Sequence, residues 1–83
     1  MIGSLDRLLR IAFRERPVQL QPGVRYSATL DLAKVRPGMN EADVRNWLMT
    51  IGFSPTGKPN VWKAYEQHLS RLPTGSILRA EKL

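Results

Sequence analysis

The sequence predicts an α+β domain: a small antiparallel sheet of two or three strands packed against two or three helices. Three patterns carry this prediction. Val24, Tyr26, Ala28, Leu30 and Leu32 alternate with Arg25, Ser27, Thr29 and Asp31, which is the period of a strand with one wet face. Val44, Trp47, Leu48 and Ile51 recur at the spacing of one helix face. Leu5, Leu8, Leu9, Ala12 and Phe13 form a second such stripe. With 83 residues there is room for one core, so residues 1–83 are read as a single domain.

The elements follow in order. Residues 4–14 are expected to form an amphipathic helix, with Ser4 as N-cap and Asp6 in the first turn, where a negative charge suits the helix dipole. Pro17 closes that segment, because the residue before a proline avoids helical geometry. Residues 18–32 form a strand region. Val18 and Leu20 alternate with Gln19 and Gln21, and the Pro22-Gly23 turn would fold this stretch back on the longer strand as a hairpin. Residues 40–51 form a helix capped by Asn40, with Glu41 and Asp43 in its first turn. Gly52 then supplies left-handed geometry and Phe53 packs back on Leu48 as a Schellman stop. Residues 53–60 contain Pro55, Gly57 and Pro59 and are read as a loop. Over residues 61–72 two readings stand. Val61, Tyr65, Leu69 and Leu72 form a helical stripe between Asn60 and Pro73, and this is the favoured one. The run Val61-Trp62-Lys63-Ala64-Tyr65 also fits a strand. Residues 76–82 are a short final strand.

Composition narrows the chemistry. There is no cysteine and a single histidine, His68, so thiolate and multi-histidine metal sites are excluded. The stretch Gly52 to Pro59 matches a phosphate-binding loop up to Lys58. The next position needs a Mg²⁺-holding hydroxyl and has Pro59, and the stretch follows a helix where the motif requires a strand. His68 has no nucleophile and orienting group converging on it in the sequence pattern. The expectation is a protein that is not an enzyme, with no catalytic, cofactor or metal residues and no small-molecule substrate.

The charge is +6, and nine of the thirteen cations are arginine, whose planar fork binds phosphate and carboxylate bidentately. Arg7, Arg10, Arg14 and Arg16 cluster near the start, and Arg25 lies on the wet face of the strand. These five are the expected contacts to an anion or nucleic acid. An anionic membrane surface would meet the same face of the 4–14 helix. Protein contacts, with another copy or another protein, are expected from Leu5, Leu8, Leu9 and Phe13 on the helix stripe and from Val18 and Leu20 on a strand edge. Trp62, which falls off the 61–72 stripe, completes that set, although it also fits the rim of the core. The first residues lack a basic region followed by a long apolar core, and no apolar run has the length of a bilayer span. The chain is therefore expected not to be secreted by a signal peptide and not to be transmembrane.

The pattern Pro22-Gly23-Val24-Arg25-Tyr26-x-Ala28-x-Leu30, followed by a helix ending in Gly52-Phe53-Ser54, is similar to small uncharacterised proteins encoded by bacteriophages of proteobacteria. The resemblance spans residues 18–62 and carries no catalytic residue. It implies a minor structural or accessory protein acting through homo-oligomeric or heteromeric contacts with virion or host proteins, located in the virion or the host cytoplasm. The other expectation is a small basic nucleic-acid-binding protein of weak sequence specificity.

Overall fold

The structure is a computed structural model that describes residues 13–83. Among these residues six strands are present: β1 (Arg16–Pro17), β2 (Val24–Asp31), β3 (Ser54–Pro55), β4 (Val61–Tyr65), β5 (Arg71–Leu72) and β6 (Ile77–Lys82). Among the described residues a single α-helix, α1 (Glu41–Thr50), accompanies them, and a 3-10 turn covers Glu66–His68. The larger sheet has the order β3-β4-β2-β6, and β1 pairs with β5 in a separate two-stranded ribbon. All pairings are antiparallel.

The alternation on β2 places Tyr26, Ala28 and Leu30 inward, as expected. Cross-strand register carries the same face to Trp62 and Ala64 of β4, because directly opposed residues share a side of the sheet. Val44, Trp47 and Leu48 of α1 complete one buried cluster with them and with Phe13, Phe53, Leu69 and Leu72. The helix and core thus cover one face of the sheet, and the other face meets solvent.

Helix α1 begins and ends as its residues dictate. The Asn40 side chain accepts a hydrogen bond from the Ala42 N–H at 2.8 Å, satisfying one of the orphan donors of the first turn. Replacing Asn40 by alanine is expected to cost about 1 kcal/mol, read as a lower urea midpoint with unchanged slope. At the other end Gly52 has φ +103°, the Gly52 N–H donates to Met49 O, and the Phe53 N–H donates to Leu48 O at 2.8 Å. That pair of bonds is the Schellman motif.

Three expectations are corrected. The protein is mostly strand, with six strands in two sheets and one helix among the described residues, not two or three helices packed on a sheet of two or three strands. The favoured helix over 61–72 is instead β4, the 3-10 turn and β5. Asn60, read as its N-cap, adopts φ +64° in a turn, and its carbonyl accepts the Leu32 N–H, extending the β2–β4 ladder. Residues 18–20 form no strand and no hairpin with β2, because both sides of β2 are taken by β4 and β6. The chain before Val18 pairs instead with β5, Arg16 opposite Leu72. The strand at 76–82 is realised as β6, and the 53–60 loop contributes the two-residue β3. Of the expected helix over 4–14, residues 4–12 lie outside the described residues.

Candidate functional site

The solvent face of the larger sheet carries the odd-numbered residues of β2, β4 and β6. Register sets them in rows: Tyr65–Ser27–Arg79, then Lys63–Thr29–Ile77, with Arg25 opposite Glu81 on the other flank. Ser27 is small and central, so the rows dip over it. A depression of about 330 Å³ results, lined by Arg25, Tyr26, Ser27, Lys63, Tyr65, Arg79, Ala80 and Glu81. It holds three cations against one carboxylate.

Tyr65 is the exposed ring of this face, with 55 % of its surface accessible. The Lys63 ammonium stands 5.4 Å from the ring centroid, within cation–π range. Arg25, Lys63 and Arg79 make no ion pair among the described residues, so their donors are free for a ligand. An exposed ring beside unpaired cations can stack a flat, electron-rich group while holding phosphate oxygens. Other depressions hold cations without such a ring, as beside Arg36, Pro37 and Met39.

The residues expected at functional surfaces are distributed differently. Arg25 is exposed and lines the depression. Arg14 is exposed, but its carbonyl accepts the Thr74 hydroxyl, and Arg16 donates from its guanidinium to the Ser76 carbonyl at 3.3 Å. Neither lines the site. Phe13 is only 1 % exposed and stacks on Trp47 with ring centroids 4.5 Å apart, so it is a core residue and not a docking anchor. Trp62 is 6 % exposed and likewise belongs to the core, as its position opposite Leu30 dictates. Val18 is half-buried against the core and Leu20 is exposed, but neither sits on a strand edge. Leu5, Leu8, Leu9, Arg7 and Arg10 lie outside the described residues.

Lys63, Tyr65 and Arg79 are not among the site residues that the sequence pattern indicates. Their signal was present: on a strand, Trp62 and Tyr65 must face opposite sides, which reverses the helical reading of both. Among the described residues, no three His, Asp or Glu side chains converge as metal ligands would. No described helix is long and apolar enough to cross a membrane. No protein-family model matches the chain, and neither a curated protein nor a solved structure matches it.

Proposed function

We propose that this protein is a non-catalytic binding module whose ligand is single-stranded nucleic acid, held on the open face of the four-stranded sheet. The observation that carries this reading is the exposed Tyr65 ring flanked by Lys63, Arg25 and Arg79, each without an ion-pair partner among the described residues. A base stacks on the ring, and the adjacent phosphates meet the arginines and the lysine. Stacking is tolerant of sequence because every base has a π-face, so binding is broad in specificity. The net charge of +6 adds long-range attraction to any polyanion.

Fluorescence anisotropy with a labelled oligothymidine of twelve nucleotides tests this. Binding at low salt is expected to weaken as salt rises, with a log–log slope of about −2 for three phosphate contacts on a single strand. Tyr65→Ala is expected to weaken binding by about 1–3 kcal/mol, whereas Tyr65→Phe retains most of it. Arg25→Ala lowers the salt slope, and Arg45→Ala, on the far side of the molecule in an ion pair with Glu41, leaves it unchanged. Absence of binding at low salt, or a Tyr65→Ala variant that binds like the parent chain, would overturn the assignment.

Protein contact is the second reading, in keeping with a structural or accessory role in a phage particle. The observation favouring it is the outer side of β6, which has no strand partner among the described residues.

A further inference from the structure

The two edges of the larger sheet are unlike. On one side β3 has two residues, one of them Pro55, which lacks a backbone donor. On the other side β6 is six residues long, and all six are exposed. Among the described residues it pairs with β2 alone. The Leu83 N–H donates to the Gly23 carbonyl, continuing the β2–β6 ladder. In an antiparallel ladder both backbone groups of a residue point to the same neighbour, and the direction alternates along the strand. Ile77, Arg79, Glu81 and Leu83 therefore address β2. Leu78, Ala80 and Lys82 turn their N–H and C=O groups to the free side.

The side chains of this edge are complementary to themselves. When β6 meets the same strand of a second copy, antiparallel across a two-fold axis perpendicular to the sheet, residues of equal parity face one another. With the axis at Ala80, Arg79 of each copy lies opposite Glu81 of the other, twice by symmetry. Ile77 then lies opposite Leu83, also twice. These two are the most exposed large apolar residues among those described, at 66 % and 80 %. The neighbouring registers are worse. An axis at Arg79 sets two arginines face to face, and an axis at Glu81 sets two glutamates face to face, arrangements that oppose pairing. Leu78, Ala80 and Lys82 supply roughly six inter-chain hydrogen bonds in the favoured register.

We propose that β6 is a homodimerisation edge, and that its partner is the β6 strand of a second copy paired in the register centred on Ala80. The interface is isologous, as a two-fold contact requires. It joins two four-stranded sheets into one continuous sheet with both solvent faces on the same side. Tyr65, Arg25 and Lys63 of each copy stay uncovered, while Arg79 turns to Glu81 of the other copy and leaves the phosphate contacts of the dimer to the other two cations. The proposal is independent of what those residues bind, since its readout is mass and not ligand affinity.

Light scattering coupled to size exclusion over a dilution series gives the first test, with a concentration-dependent dimer as the expected result. Glu81→Arg sets like charges opposite one another twice and is expected to weaken association by roughly tenfold. The exchanged pair Arg79→Glu with Glu81→Arg restores it. Circular dichroism confirms that both variants keep the fold, as expected for exposed positions. The chain has no cysteine, so one introduced thiol reads out the geometry. Ala80→Cys lies on the axis, where a hydrogen-bonded pair has Cα atoms about 5.5 Å apart, within disulfide reach. It is expected to oxidise to a covalent dimer, while Ser54→Cys on the opposite edge is not. A chain that stays monomeric at every concentration overturns the proposal. So does a dimer indifferent to Glu81→Arg, or an edge that takes up an unrelated extended peptide in preference to its own copy.

Discussion

Phe13→Ala is expected to remove a large fraction of the protein's stability and to lower its Tm steeply. The ring is almost wholly buried, stacked on Trp47 at an interplanar angle of 14°, and its removal leaves a cavity that the surrounding sheet and helix cannot collapse to fill. Such truncations cost about 3–5 kcal/mol. A domain of this length commands roughly 4–12 kcal/mol in all, so the loss is a large fraction of the total. The backbone at the same position is tied down as well: the Phe13 carbonyl accepts the Thr74 N–H at 2.8 Å. Thermal unfolding followed by circular dichroism should show a fall in Tm of about 12 °C or more. A fall of only two or three degrees, together with loss of a binding partner, would return Phe13 to the surface role its helical stripe first indicated.

Gly52→Ala is the second large effect. Two penalties coincide there. The residue sits at φ +103°, where an L side chain is strained, and a Cβ would fall onto the Cβ and ring of His68. Together these are expected to cost about 3 kcal/mol, since backbone strain and overpacking each cost about 1–3 kcal/mol. Gly57→Ala separates the two contributions. Gly57 has φ +89° but open space around its position, so its alanine variant carries the strain without the collision and should lose about 1 kcal/mol. Equal urea midpoints for the two variants would show that the His68 contact is easily relieved and that the Schellman stop alone sets the cost.

What could be read from the residues was local. Strand β2 is visible as nine residues of strict alternation, and α1 is visible because its stripe, its Asn40 cap and its Gly52-Phe53 stop all lie within fourteen residues of one another. What could not be read depends on distant partners. Over 61–65 five residues fit either period, and the choice was made by β2, which supplies backbone partners from Ser27 to Asp31. That choice exchanges the sides of Trp62 and Tyr65, so the ring expected outside is in the core and the ring expected inside is at the site. The β1–β5 ribbon has two residues on each side, below any periodic signal, and joins Arg16 to Leu72 across most of the chain. Arg25 was identified because outward residues on a regular strand are legible. Lys63 and Arg79 join it only once register sets their strands on either side of Ser27.

The central position of β2 has a consequence for how the molecule is made. Its two neighbours in the sheet, β4 and β6, both follow it in the chain, the second ending at Lys82. From the moment Asp31 leaves the peptidyl transferase centre, roughly 3–10 s of translation pass before the last residues that will flank it exist. Until Tyr65 is made both sides of the strand that bears Tyr26, Ala28 and Leu30 lack their partners, and until Lys82 is made one side still does, while Arg25, Ser27, Thr29 and Asp31 interrupt the apolar residues with polar ones.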